Sequence, residues 1–235
     1  MTGDKIVTVA QNNIGAREGK LSHQKIIDTY NGHKPLARNY KVKYTDEWCA
    51  TFVSYCFIVM NATSLIGGTE CSVQRFIDKF KKKGIWNEDG RIIPEPGDII
   101  CYNWDDGTQP NDGWADHIGI VEKVSKKSFV VIEGNMSNGA VGRRTVPMGW
   151  GYIRGFACPK YDEDRKSPQH TKYKYFKKCA KNENSLVDGL ASVGAPTSFA
   201  ARTKIALKNG IKVYTGSAKQ NIILLDKLKK GALKK

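Results

Sequence analysis

The stretch DEWCATFVSYC, Asp46 to Cys56, reads as the opening of an apolar helix with a thiol near its start. Cysteine attacks as its thiolate. A free thiol titrates at about 8.5, lower at a helix N-terminus or beside an imidazolium. Cys49 meets the first condition. Cys56 lies two turns further along the same helical face, where packing accounts for it. Packing also accounts for Cys49 taken alone, because unpaired cysteine is among the most buried residue types. A cysteine nucleophile needs a histidine base held by a third polar group. Of the four histidines, His23 and His33 stand in a polar N-terminal stretch and His170 in a basic segment. His117 stands apart, at the start of the strand pattern HIGIVEKV. The next strand pattern, SFVVIEGN, ends in Glu133 and Asn135, which share a face if the strand stays regular that far. The SKK turn near Ser125 is equidistant from His117 and Glu133. Antiparallel pairing therefore sets the carboxylate beside the imidazole. Each residue has an ordinary reading by itself: a packed thiol, a structural histidine, a solvated edge glutamate. Together they make a thiol nucleophile, a histidine base and a carboxylate to orient it.

The elements that must position these groups follow from periodicity. Apolar residues at Ile6, Val9, Ala10 and Ile14 predict an N-terminal helix, followed by a looser stretch through Tyr44. Thr45 or Asp46 can cap the helix from about Glu47 to Met60. VQRFIDKFKKKG predicts a second amphipathic helix ended by Gly84. From Pro94 the texture changes to short β-branched and aromatic runs: GDIICYNW, HIGIVEKV, SFVVIEGN, VGRRTVPM and YIRGFACP. Helices followed by an antiparallel meander make an α+β fold.

The formal charge of +15 is unevenly spread. Arg165 to Lys235 holds 17 basic and 3 acidic residues, or +14; the remainder holds 21 and 20, or +1. A near-neutral globule thus carries a cationic appendage, which calls for a polyanionic partner. The basic segment from Lys160 to Asn184 reads as a linker. SLVDGLASVG, SFAARTKIALKNG and SAKQNIILLDKLKKG read as three helices ended by Gly194, Gly210 and Gly231, with Thr197 or Ser198 and Thr215 or Ser217 as caps. The six cysteines form no CxxC pair and fit no zinc spacing, so mostly reduced thiols are expected. No apolar run is long enough to span a membrane. The N-terminus lacks the basic-then-apolar layout of a signal peptide, so action outside the cytoplasm would need another exit route.

The ordered motifs WCATFVSYC, PEPGDIICY, DHIGIVEKV and VIEGN resemble those of the CHAP domain, a cysteine- and histidine-dependent amidohydrolase/peptidase of the papain-like superfamily that cuts bacterial peptidoglycan. The resemblance covers roughly Ile6 to Pro159. It implies N-terminal helices packed on an antiparallel sheet, with a small C-terminal three-helix module as an addition. It implies Cys49 as nucleophile, His117 as general base, Glu133 as the group orienting His117, and Asn135 as a further polar residue of the site, either on the ring or on the oxyanion. Some relatives carry an Asp-rich calcium loop before the cysteine. KVKYTDEWC holds only Asp46 and Glu47, so no metal and no cofactor are expected. Asp116 reads as a surface or turn residue, Glu47 as a helix-start charge, and Asp105, Asp106 and Asp112 as turn residues. Trp48, Trp104 and Trp114 are candidates for a glycan groove, with core or lid packing as the alternative.

The domain plan is then a catalytic unit over 1–160, a basic linker over 161–184 and a helical wall-binding module over 185–235. Arg202, Lys204, Lys208 and Tyr214 are its candidate contacts. The expected partners are peptidoglycan and its anionic polymers, with no nucleic acid. A phage or prophage endolysin, released through a holin pore to act at the wall, fits this plan. A bacterial autolysin, an antibacterial effector, or a non-catalytic wall- or nucleic-acid-binding protein are the alternatives. The muramoyl–L-alanine amide (amidase) is favoured as the bond cut. A stem or cross-bridge amide (endopeptidase) suits the same residues.

Overall fold

The computed structural model describes residues 2–161 and 175–235. Its contacts divide the chain into two compact units, Met1–Gly107 with Asn111–Gln169, and Thr108–Pro110 with His170–Lys235. Four helices open the first unit: α1 (Gly3–Gln11), α2 (Leu21–Gly32), α3 (Cys49–Val59) and α4 (Val73–Lys83). Helix α2 lies in the stretch expected to be loose. Its buried His23, Ile26, Ile27 and Tyr30 recur at the spacing of one helical face. Helix α3 is buried from Cys49 through Phe57, so it is the central helix, packed against α1, α2 and α4 and against the sheet. It begins later than expected. Its N-cap is Trp48, with no side-chain cap. Asp46 is drawn into the preceding loop instead, accepting hydrogen bonds from the Lys43 N–H at 2.9 Å and the Tyr40 hydroxyl at 2.6 Å. Helix α4 stops at Gly84, whose φ of 72° closes the last turn.

Six strands follow: β1 (Trp86–Asn87), β2 (Ile99–Tyr102), β3 (His117–Val124), β4 (Ser128–Glu133), β5 (Gly142–Pro147) and β6 (Ile153–Ala157). They form one antiparallel sheet in the order β1-β6-β2-β3-β4-β5. The fold of this unit is α+β, as the meander of short runs required. Ile99, Cys101, Ile118, Ile120 and Ile132 bury against the helices, while Ile100, Tyr102, Val121, Phe129 and Val131 belong to a second cluster with Phe156. The alternation of strand residues explains that division. Between β3 and β4 the register slips between Val121 and Lys123.

The second unit buries its own core of Leu186, Leu190, Ile205, Ala206, Leu224, Leu225 and Leu228. Its helices are α5 (Leu186–Ser192), α6 (Phe199–Lys208) and α7 (Ala218–Lys229), capped by Ser185, Ser198 and Ser217. The expected linker is shorter than its composition suggests. Phe176 and Cys179 are buried in this core, and Tyr175 bridges to Lys234. The rest of that linker, residues 162–174 with His170, lies outside the described residues. Among the described residues no helix is long and apolar enough to cross a membrane.

The seat of α3 on the sheet depends on Gly134, just past β4. A Cβ there would lie 2.5 Å from Phe52 Cβ and 2.8 Å from its Cγ. Gly134→Ala is therefore expected to destabilise the fold by about 1–3 kcal/mol, measured by chemical denaturation, because α3 and β4 must separate to admit the methyl.

Candidate active site

Cys49 is the first residue of α3, so its backbone N–H is one of those the helix leaves unpaired, and the positive end of the helix dipole faces the sulfur. Its thiol is only 5% exposed. His117 opens β3 and Glu133 closes β4. The imidazole Nε2 lies 3.1 Å from Glu133 Oε2. The Cys49 sulfur is the other group that acts on this imidazole, favouring its protonated form. The sequence-predicted trio is thus assembled at one end of the sheet.

The route to that assembly differs from direct pairing. The register Ile120↔Ile132, continued one residue outward, sets Glu133 opposite Gly119 and makes it a diagonal neighbour of His117. The turn is centred past Ser125, whose N–H and hydroxyl both bond the Ser128 carbonyl, and the slip after Val121 takes up the difference. Gly119 makes the diagonal contact possible. A Cβ there would come within 2.7 Å of Glu133 Cγ and 2.5 Å of Val131 Cγ1.

Two residues that sequence reasoning missed complete the carboxylate's surroundings. The Tyr102 hydroxyl, at the end of β2, donates to Glu133 Oε1 at 2.8 Å. The Arg144 Nε–H, on β5, is shared between Oε1 at 2.9 Å and Oε2 at 3.0 Å. Burial and the adjacent carboxylate hold Tyr102 far above its ordinary range, so it stays a donor. The signal for Arg144 was the pair Arg143–Arg144 in GRRTV. Alternation sends one arginine to Glu122, at 2.7 Å through both Nε and Nη2, and the other to Glu133.

Asn135 reaches the rim of the site but does not share a face with Glu133. Its φ of 54° breaks the strand alternation. Its amide nitrogen donates to the Glu47 carboxylate, which takes Glu47 beyond a simple helix-start charge. Asp116 accepts the Trp104 N–H at 2.8 Å in the turn before His117. Of the three tryptophans, only Trp104 lines the groove beside His117, a cleft of about 570 Å³. Trp48 is fully buried, its ring 4.7 Å from that of His23, so it is core and cannot meet a glycan. Trp114 is 70% exposed and lies outside the groove lining. The missed aromatic walls are Trp150 and Tyr152, carried by the GWGY turn between β5 and β6. In the second unit, Arg202 bonds the Tyr214 hydroxyl at 2.8 Å and the Thr197 carbonyl at 3.0 Å, and Tyr214 is buried. That pair is internal, whereas Lys204 and Lys208 are exposed. Among the described residues no group of three or more His, Cys, Asp or Glu side chains is placed to hold a metal ion.

Burial alone would lower the pKa of His117, but the Cys49 sulfur and the Glu133 carboxylate outweigh it and raise the imidazole from 6.5 to about 9. The folded value lies above the unfolded one. The stability this contributes is complete below pH 6.5 and is lost as the pH rises through about 9. His117→Ala is expected to flatten the stability profile over that window, read by urea unfolding at a series of pH values.

No curated protein and no solved structure matched the chain. Residues 39–135 match the family model of the CHAP domain, a span that includes Cys49, His117, Glu133 and Asn135 and stops short of Arg144 and the second unit. The matched span is less than half of the chain, and over it the chain is similar to the CHAP domain, a match that supports a cysteine- and histidine-dependent amidohydrolase or peptidase acting on peptidoglycan.

Proposed function

We propose that this protein hydrolyses an amide of peptidoglycan with Cys49 as nucleophile, His117 as acid and base, and Glu133 as the group that orients the imidazole. The observation that carries the reading is one imidazole that lies 3.1 Å from the Glu133 carboxylate and is held protonated by both that carboxylate and the Cys49 sulfur. The Cys49 sulfur attacks the amide carbonyl, and the developing oxyanion is met by the backbone N–H of Cys49 at the start of α3. His117 passes its proton to the leaving amine as the C–N bond breaks, leaving a thioester on Cys49. Water, deprotonated by His117, then attacks the thioester. The acid product leaves, and the proton returns to the thiol–imidazole pair.

The muramoyl–L-alanine amide is our reading of the bond cut, with a stem or cross-bridge amide as the alternative. Trp104, Trp150 and Tyr152 stand beside His117, and aromatic faces attract the polarised C–H edges of a sugar ring. The amide nearest the glycan is then the one within reach of Cys49. The cationic second unit supplies the wall anchor expected of an endolysin-type lytic enzyme, with Lys204 and Lys208 as contacts for anionic wall polymer. Tethering raises the effective concentration of the catalytic unit on an insoluble substrate.

Digestion of purified Gram-positive peptidoglycan, read by mass spectrometry, tests the catalytic reading. The wild type is expected to release intact stems and free lactyl groups, and Cys49→Ala to release nothing, a loss of about 10³-fold or more. New amino ends within stems or bridges would assign an endopeptidase instead. Products from Cys49→Ala would remove Cys49 from the mechanism. For the anchor, the full-length double variant Lys204→Glu/Lys208→Glu should pellet less with walls at low salt, and the difference should shrink as salt screens the charges. Equal pelleting at low salt would reduce those lysines to solvated surface.

A further inference from the structure

The groove beside His117 is lined by polar donors as well as by aromatic walls. Its lining includes Asn135, Ser137 and Arg144 but no aspartate or glutamate. Arg144 uses only its Nε–H on Glu133. The N–H bonds of both terminal nitrogens have no protein acceptor among the described residues. The guanidinium is nevertheless fixed in place: its carbon lies 5.2 Å from the centre of the Trp104 ring and 5.9 Å from that of Tyr102. A substrate filling the groove would strip water from these donors, and an unmatched donor is costly. The acceptor that answers a fixed guanidinium best is a carboxylate, through charge-assisted hydrogen bonds. An arginine bonded on one edge to an internal carboxylate can bridge to a second one on its free edge.

Resting on the peptidoglycan reading above, we propose that the terminal N–H groups of Arg144 bind a carboxylate of the stem peptide in the groove, making the enzyme selective for acidic stems over amidated ones. Arg144 then has two roles on two edges: it positions Glu133 through Nε and reads substrate charge through its terminal nitrogens.

The test is calorimetric binding to full-length Cys49→Ala, which cannot turn over its ligand. The probes are a synthetic N-acetylmuramoyl-L-alanyl-D-glutamic acid with its glutamyl carboxylates free, and the same compound with both converted to carboxamides. The free acid is expected to bind about tenfold tighter. Adding Arg144→Gln should leave the two probes binding alike, and Arg144→Lys should keep part of the preference. Tyr102→Phe loosens Glu133 while sparing the terminal nitrogens of Arg144, so it should leave the preference intact, which a purely positioning role for Arg144 would not require. Equal binding of both probes, binding of neither, or a preference that survives Arg144→Gln would each overturn the proposal. Failure of the hydrolase reading shows elsewhere, as absence of cleavage by wild type, while the binding comparison still decides this one.

Discussion

The Glu133 carboxylate is fully buried, and a buried charge is tolerated only when its surroundings supply nearly as much as water did. Its oxygens meet a phenol from β2, an imidazole from β3 and a guanidinium from β5. Three strands thus each contribute one donor to a carboxylate on a fourth. Only the order β2-β3-β4-β5, in this register, brings them together. A slip of one residue in any of these strands would turn its donor to the opposite face and leave the charge uncompensated. Apolar packing makes the sheet, and the carboxylate narrows it to one alignment. Gly119 is the vacancy that lets the group fit.

The thiol reaches this array from a different layer. Helix α3 is apolar on all sides, so burial rather than amphipathic patterning places it. Its first turn is fixed from behind by Trp48 against His23, and its body is fixed by Phe52 against Gly134. Burial lowers the pKa of His23, which keeps that imidazole neutral and fit for a core. The same group, imidazole, thus serves as packing under α3 and, in the proposed mechanism, as acid and base in front of it. What separates the two is the company each keeps: an indole ring for His23, a thiol and a carboxylate for His117.

How far the sequence revealed this depends on how local each signal was. The placement of Cys49, His117 and Glu133 was legible because each stands at one terminus of an element whose period is plain, although the register makes the last two diagonal neighbours and not a direct pair. The closing glycines of α5, α6 and α7 and the serine caps of α6 and α7 were legible for the same reason, since capping is decided within a few residues. Arg144 and Tyr102 were not, because their roles arise from strand neighbours that no local pattern specifies. Trp48 misled because an aromatic beside a nucleophile looks like a substrate wall until the helix start is fixed. One residue of offset turns it inward. Asn135 misled because a left-handed backbone at the end of β4 interrupts the alternation that would have aligned it with Glu133. Phe176 and Cys179 were hidden in a segment whose basic composition resembles a linker.

The proposed two-step chemistry also resolves a tension in the electrostatics of His117. An imidazole raised to about 9 suits the first step, where it must hold a proton beside a thiolate and pass it to an amine. It suits the second step poorly, because a protonated ring cannot take a proton from water. The raised value has two sources, the sulfur and Glu133, acting against burial. Formation of the thioester removes the sulfur's negative charge. What remains is burial, which lowers the imidazole's pKa, against a carboxylate whose charge is already shared with Arg144 and Tyr102. The ring therefore becomes a better base at the moment the proposed mechanism needs one. Arg144 bears on the geometry of both steps, because its Nε–H holds both oxygens of the carboxylate that aims the ring.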